Sequence, residues 1–121
     1  MKIIIREIGD QKIGIIDAPD LVLCTGQDAL DLMVEAGYLD TRAILLPAEN
    51  LCPEFFDLKT RVAGDILQKF SSYQVKLAIF GSFDHYGSES LAALIRESNR
   101  GNAIFFVPDI ETGLQYLSKK R

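Results

Sequence analysis

Between residues 55 and 61 the chain reads Phe55-Phe56-Asp57-Leu58-Lys59-Thr60-Arg61, which sets aromatics, a carboxylate, a hydroxyl and two cations side by side. Asp57 is placed to cap the helix that the following residues predict, with its carboxylate accepting from otherwise orphaned amides. Lys59, Thr60 and Arg61 then fall in the first turn, where the helix dipole disfavours cations. Acids belong there, so the choice of cations points to a surface that meets an anion or an acidic partner. The plainer reading is a solvated basic turn. Phe55 and Phe56 offer apolar contact to a partner, or else close over the core with one ring buried.

A second stretch, Gly81-Ser82-Phe83-Asp84-His85-Tyr86-Gly87-Ser88, follows an apolar strand and precedes a helix. Loops at strand carboxyl ends are where open parallel sheets take ligands. Glycines there allow close backbone approach, and the amides after Ser88 are candidates to hold an anion. It is not a P-loop, because the Gly-Lys-Ser/Thr ending and the glycine spacing are missing. The plainer and favoured reading is a turn with a capped helix.

Cys24, Cys52 and His85 are the remaining candidates for chemistry. A Cys-His nucleophile needs a base within hydrogen-bond reach and an oxyanion site, and the spacing supplies neither. The two thiols with the single His85 cannot fill a four-ligand zinc site. They are expected as buried structural thiols in a reducing cytosol. Asp28, Asp31 and Glu35 lie along one helix and read as a solvated acidic face. No catalytic residue, metal or cofactor is therefore assigned.

The whole chain narrows the partners. Its 121 residues suffice for one domain with a real core, so 1–121 is read as a single unit. With 48% hydrophobic and 25% charged residues it has the composition of an ordinary globular protein. A net charge of -4 argues against a general nucleic-acid binder. The opening run Met1-Lys2-Ile3-Ile4-Ile5 is too short for a signal-peptide core or a membrane span, which leads to a cytoplasmic expectation with no membrane partner.

The elements that must position these residues follow from periodicity. Residues 2–8 and 12–17 are Ile-rich and separated by Gly9-Asp10-Gln11, which predicts a hairpin. A third extended piece is expected from Leu21 to Thr25. Ala29, Leu30, Met33, Val34 and Gly37 predict a helix over 28–38, and Arg42 to Leu46 a buried strand ended by Pro47. Val62, Ala63, Ile66, Leu67 and Phe70 form the stripe of the helix after Asp57. A strand over 75–80, a Ser88-capped helix bearing Leu91, Leu94 and Ile95, and a strand over 103–107 follow. Asp109 caps the last helix, with Lys119, Lys120 and Arg121 complementing its dipole. The order β-β-α-β-α-β-α-β-α implies a mixed α/β sheet covered by helices, with the first strand antiparallel in its hairpin and the rest parallel.

That order is also the order of the STAS (anti-sigma factor antagonist-like) domains. Leu23-Cys24-Thr25-Gly26, Arg42-Ala43-Ile44-Leu45-Leu46 and Phe105-Phe106-Val107-Pro108-Asp109 resemble the stretch opening their first helix, their third strand and their last strand with its helix. More narrowly, the chain resembles the uncharacterised bacterial domain-of-unknown-function family numbered 4180. The phrases that carry this are Phe55-Phe56-Asp57-Leu58, Ala63-Gly64-Asp65-Ile66-Leu67-Gln68-Lys69-Phe70, Val75-Lys76-Leu77-Ala78-Ile79, and Glu97-Ser98-Asn99-Arg100-Gly101 ahead of Ile104-Phe105-Phe106-Val107. That family brings no activity with it.

The STAS resemblance implies a non-catalytic, regulatory interaction module with an unidentified protein partner. Its antagonists carry a phosphorylated serine in an Asp-Ser-Ser-Gly type turn before the second helix. Here Asp57 matches the Asp and Thr60 is the nearest hydroxyl, while Leu58, Lys59 and Arg61 depart from that pattern. The expected binding surface is Phe55, Phe56, Asp57, Lys59, Thr60 and Arg61 with Gly81, Ser82, His85 and Ser88, and Thr60 is the candidate phosphorylation site. The alternative is a small anionic ligand, a nucleotide or phosphometabolite, at the amino end of the second helix.

Overall fold

A five-stranded sheet in the order β1-β2-β3-β4-β5 organises the molecule, whose computed structural model describes residues 2–119. The strands are β1 (Ile3–Ile8), β2 (Gln11–Ile16), β3 (Ala43–Pro47), β4 (Lys76–Phe80) and β5 (Ile104–Val107). The helices are α1 (Gly26–Tyr38), α2 (Val62–Ser72), α3 (Glu89–Arg100) and α4 (Ile110–Ser118). β1 pairs antiparallel with β2, Ile8 opposite Gln11, and every later pair is parallel. The mixed α/β order expected from the sequence is the one observed.

Because both faces of the parallel strands are covered, their apolar residues run without a polar break. Ile44 and Leu46 of β3, Leu77 and Ile79 of β4, and Ile104 and Phe106 of β5 face the layer that contains α1, α2 and α3. The alternate residues Leu45, Ala78, Phe105 and Val107 face α4 through Leu114 and Leu117. α1, α2 and α3 share one face because each is a crossover between neighbouring parallel strands, whereas α4 follows the last strand and packs on the opposite face.

The sequence reading of the local elements needs several corrections. α1 begins earlier than expected, at Gly26, because Thr25 caps it: its hydroxyl accepts from Asp28 N at 3.1 Å, and Asp28 returns to Thr25 N at 3.0 Å. Its buried face is Gly26, Ala29, Leu32 and Ala36, whereas Val34 is 57% exposed. Asp28 is thus a cap, not part of a solvated acidic face. The piece expected over 21–25 makes only the single parallel bridge Leu23–Leu51. Ser88 and Asp109 cap α3 and α4 as expected, accepting from Leu91 N at 3.1 Å and Thr112 N at 2.8 Å. The Thr112 amide holds the Asp109 carboxyl below its ordinary value. Lys119 lies past the end of α4 with its ammonium 5.0 Å from the Tyr116 ring centroid, while Lys120 and Arg121 lie outside the described residues.

The two cysteines are not free thiols. Cys24 and Cys52 form a disulfide, with Cα atoms 5.3 Å apart across 28 positions. Their segments are also tied by the main chain, Leu23 N donating to Asn50 O at 2.7 Å and Cys52 N to Leu23 O at 3.0 Å. Buried Asn50 adds bonds from its side-chain amide to Ala18 O and Leu21 O, both at 2.8 Å.

Candidate functional site

The carboxyl ends of β3 and β4 carry the two loops that the sequence singled out. After β3 the chain makes short helical turns at Pro53–Phe56 and Leu58–Thr60 before entering α2, and after β4 it makes another at Asp84–Tyr86. Gly81 allows the loops to approach, because a Cβ there would lie 2.9 Å from that of Ala48. The Tyr86 ring stacks on Phe56 with centroids 4.5 Å apart, and the His85 ring lies 4.1 Å from Tyr86.

This aromatic stack divides two neighbouring clefts. One, of about 350 Å³, is lined by Glu49, Phe56, Gly81, Ser82, His85 and Tyr86 among others. The other, of about 360 Å³, lies between Pro53, Phe56, Asp57, Lys59, Tyr86 and Ser88. The residues predicted from two distant stretches therefore share one end of the sheet. Lys59 and Arg61 are exposed, and neither takes part in an ion pair among the described residues. A groove of about 560 Å³ along α3 is roomier. Two of its polar side chains serve the fold, Ser88 bonding the Leu91 amide and Asn99 the main chain of Phe106.

The chemistry of the first loop differs from the expectation in two respects. Asp57 does not cap α2. It caps the turn Leu58–Thr60, accepting from Lys59 N at 3.3 Å, and Arg61 then takes a left-handed conformation at φ 67 before α2 starts at Val62. Lys59 and Arg61 consequently precede the helix instead of crowding its first turn, so the dipole argument does not apply to them. Phe55 and Phe56 are turned inward, at 0% and 5% exposure, and pack against each other and against Phe83 and Phe106. They floor the surface, and the rings that reach solvent are Tyr86, 38% exposed, and the neighbouring His85.

The Thr60 hydroxyl holds the turn closed. It lies 2.6 Å from Glu54 O and 2.7 Å from Asp57 O, towards which it donates, and it accepts from Val62 N at 3.3 Å. Arg61 in its left-handed conformation and Thr60 in its bonded one thus set the direction in which the two cations project. Ser88 serves α3 as its cap, as described above. A Cys-His nucleophile is not assembled, because both sulfurs are consumed in the disulfide.

Sequence reasoning missed Tyr86, Glu54 and the disulfide. Tyr86 sits three residues after Phe83, a spacing that one helical turn brings onto one side, so its proximity to Phe56 had a local signal. Glu54 Oε1 lies 4.0 Å from Cys24 Sγ, and ligand atoms of Cys24, Cys52 and Glu54 fall within 4.8 Å of one another. Each cysteine follows a leucine that closes an extended segment, Leu23 and Leu51. Parallel neighbours would bring them level, but nothing local announces that pairing.

No helix among the described residues is long and apolar enough to cross a membrane. No curated protein and no solved structure matches the chain. A family model does, over residues 8–117, and it spans both loops, the disulfide and every element from β2 to β5. The chain belongs to the family described as Domain of unknown function (DUF4180).

Proposed function

We propose that this protein is a non-catalytic, STAS-like interaction module of the bacterial cytoplasm, and that it binds a regulatory protein partner at the carboxyl end of its sheet. The observation that carries the reading is the meeting of residues 53–61 and 81–88 on the Phe56–Tyr86 stack, 4.5 Å between centroids. A buried aromatic floor fixes the surface, and one partly exposed tyrosine at its centre has the character of an interface anchor. Lys59 lines the cleft beside the stack and Arg61 follows two residues on, both exposed and without acidic partners of their own among the described residues. The complementary partner presents a tyrosine-accepting apolar pocket bordered by carboxylates.

Thr60 is the switch in this reading. Phosphorylation replaces the hydroxyl proton that now serves Glu54 O and Asp57 O, so the turn must reopen. Lys59 and Arg61, on either side of it, would then pair with the new phosphate and leave the partner. The alternative, a small anion at the amino end of α2, draws less support. The Thr60 hydroxyl already bonds the Val62 amide, and the carboxylate of Asp65 occupies the first turn. Retention of a host protein on immobilised wild type, and its loss from the Lys59→Glu/Arg61→Glu variant, tests the interaction reading. Equal retention refutes it.

A further inference from the structure

The geometry points to a redox-gated metal site, in which reduction of the Cys24–Cys52 disulfide creates, with Glu54, a three-ligand site for a borderline-soft divalent cation such as zinc. It lies beside the proposed partner surface and does not depend on it. Three observations carry the assignment. The ligand atoms of Cys24, Cys52 and Glu54 already lie within 4.8 Å of one another, and the carboxylate is 4.0 Å from the Cys24 sulfur. Two thiolates and a carboxylate are a donor set that zinc takes readily, with Zn–S near 2.3 Å and Zn–O near 2.0 Å. On one tetrahedral ion the sulfurs stand about 3.8 Å apart, a separation that Cα atoms 5.3 Å apart accommodate by side-chain torsion alone.

The third observation is that the two segments do not need the disulfide to stay together. Leu23 N to Asn50 O, Cys52 N to Leu23 O and the two bonds from the Asn50 amide hold them through the main chain. Opening the sulfur–sulfur bond therefore leaves the two cysteine-bearing segments together, and Glu54 keeps its own ties, its carbonyl accepting from Asp57 N and from the Thr60 hydroxyl. Cys52 is 5% exposed and Cys24 more open, so an incoming thiolate attacks the Cys24 sulfur and Cys52 departs first.

The step is a two-electron exchange with a dithiol reductant. The protein disulfide breaks, each cysteine gains one electron and one proton, and the reductant leaves as its own disulfide. Binding of the divalent cation then releases the two thiol protons to solvent, and the carboxylate adds no further proton change. The fourth position stays open to water or to a ligand atom of a partner. Because Glu54 also accepts from Thr60 through its main-chain carbonyl, occupancy of the site bears directly on the turn that carries Lys59 and Arg61.

Cobalt(II) titration of the full chain tests the assignment, with far-ultraviolet circular dichroism confirming the fold. Reduced wild type is expected to bind one cobalt per chain, with a thiolate-to-cobalt charge-transfer band, and to release it to zinc. The oxidised chain is expected to show no such band. Glu54→Gln should weaken binding by about tenfold or more while the band persists, and Cys24→Ser should remove most of it. A reduced, folded wild type without the band overturns the site, as does a reduced chain that unfolds. Unchanged affinity in Glu54→Gln overturns the three-ligand assignment.

Discussion

Asp65 of α2 holds the amino end of α1, and that single contact allows a demanding prediction. Its carboxylate accepts from Gly26 N at 2.7 Å, the first amide of α1, at a buried residue. The same carboxylate forms an ion pair with Lys69 at 3.6 Å, both side chains partly exposed. Asp65→Ala leaves the Gly26 amide without an acceptor, which costs about 1–3 kcal/mol. Loss of a negative charge at a helix amino end adds about 0.3–1 kcal/mol, and the exposed ion pair contributes at most about 0.5 kcal/mol. A total near 2.5 kcal/mol lowers Tm by about 10 °C, given an unfolding entropy of about 2.1 cal/mol/K per residue.

Gly26 is the other half of the contact. A Cβ there would lie 2.7 Å from Asp65 Oδ1 and 2.9 Å from Lys69 Cε, so Gly26→Ala pushes the carboxylate off its amide. In wild type the substitution is expected to cost about 1–3 kcal/mol by overpacking. With Asp65 already replaced by alanine the close atom that remains is Lys69 Cε at 2.9 Å, the far end of a flexible side chain that can swing aside, so alanine's helix propensity makes the same change neutral or stabilising by up to about 1 kcal/mol. Urea denaturation of the four chains of this double-mutant cycle, read by circular dichroism, measures the coupling. The expected value exceeds about 1.5 kcal/mol. Additivity within about 0.5 kcal/mol would show that the two residues do not act as one contact and would refute the reasoning.

Two further outcomes concern the second half of the chain. Asn99 bonds both main-chain groups of Phe106, accepting from its amide at 2.8 Å and donating to its carbonyl at 3.1 Å, which closes the free edge of β5. Asn99→Ala should cost about 1–2 kcal/mol and raise self-association above wild type in light scattering, since an open edge pairs with other strands. Unchanged stability and scattering would refute that role. The carboxyl of Asp109 is depressed in the folded chain, so its stabilising effect is present where it is ionised in both states and lost as pH falls through the folded value. An NMR titration should therefore place Asp109 below the ordinary 3.8, and Asp109→Asn should reduce the acid loss of stability in that range. A midpoint at or above 3.8 would contradict the cap.

The strands were readable because burial on both faces leaves an apolar run with nothing polar in it, as in Ile44-Leu45-Leu46 and Ile104-Phe105-Phe106-Val107. The hairpin, the stripe of α2 and the caps at Ser88 and Asp109 are likewise local signals. α1 was harder. Its apolar residues nearly encircle it, and the face that wins is decided by packing of Ala29, Leu32 and Ala36 against the sheet layer and by Gly26 against Asp65. The start of α2 was misplaced because Asp57 is a competent cap whose turn closes on Lys59 and then breaks at Arg61. Both loops of the candidate surface were legible from their position after strands. Which rings in them face solvent was not, since Phe55, Phe56 and Tyr86 are sorted only by long-range packing. The disulfide depended on the pairing of Leu23 with Leu51, which no local pattern encodes.

The disulfide also bears on where the protein works. The cytoplasmic location proposed above is compatible with a Cys24–Cys52 bond if the bond is one state of a reversible pair, because reducing compartments keep stable structural disulfides rare.

The central claim is that the carboxyl end of the sheet binds a protein partner through Lys59, Arg61 and Tyr86. Its most direct test is a pull-down from host lysate with immobilised wild type, the Lys59→Glu/Arg61→Glu variant and Thr60→Glu, read by quantitative mass spectrometry. Thermal unfolding of each chain serves as the control. The account predicts a specific protein retained by wild type and reduced about tenfold or more in both variants, with the charge-reversed chain within about 2 °C of wild type, as exposed substitutions usually are. A partner recovered equally by all three chains, or no specific partner for any of them, would contradict it.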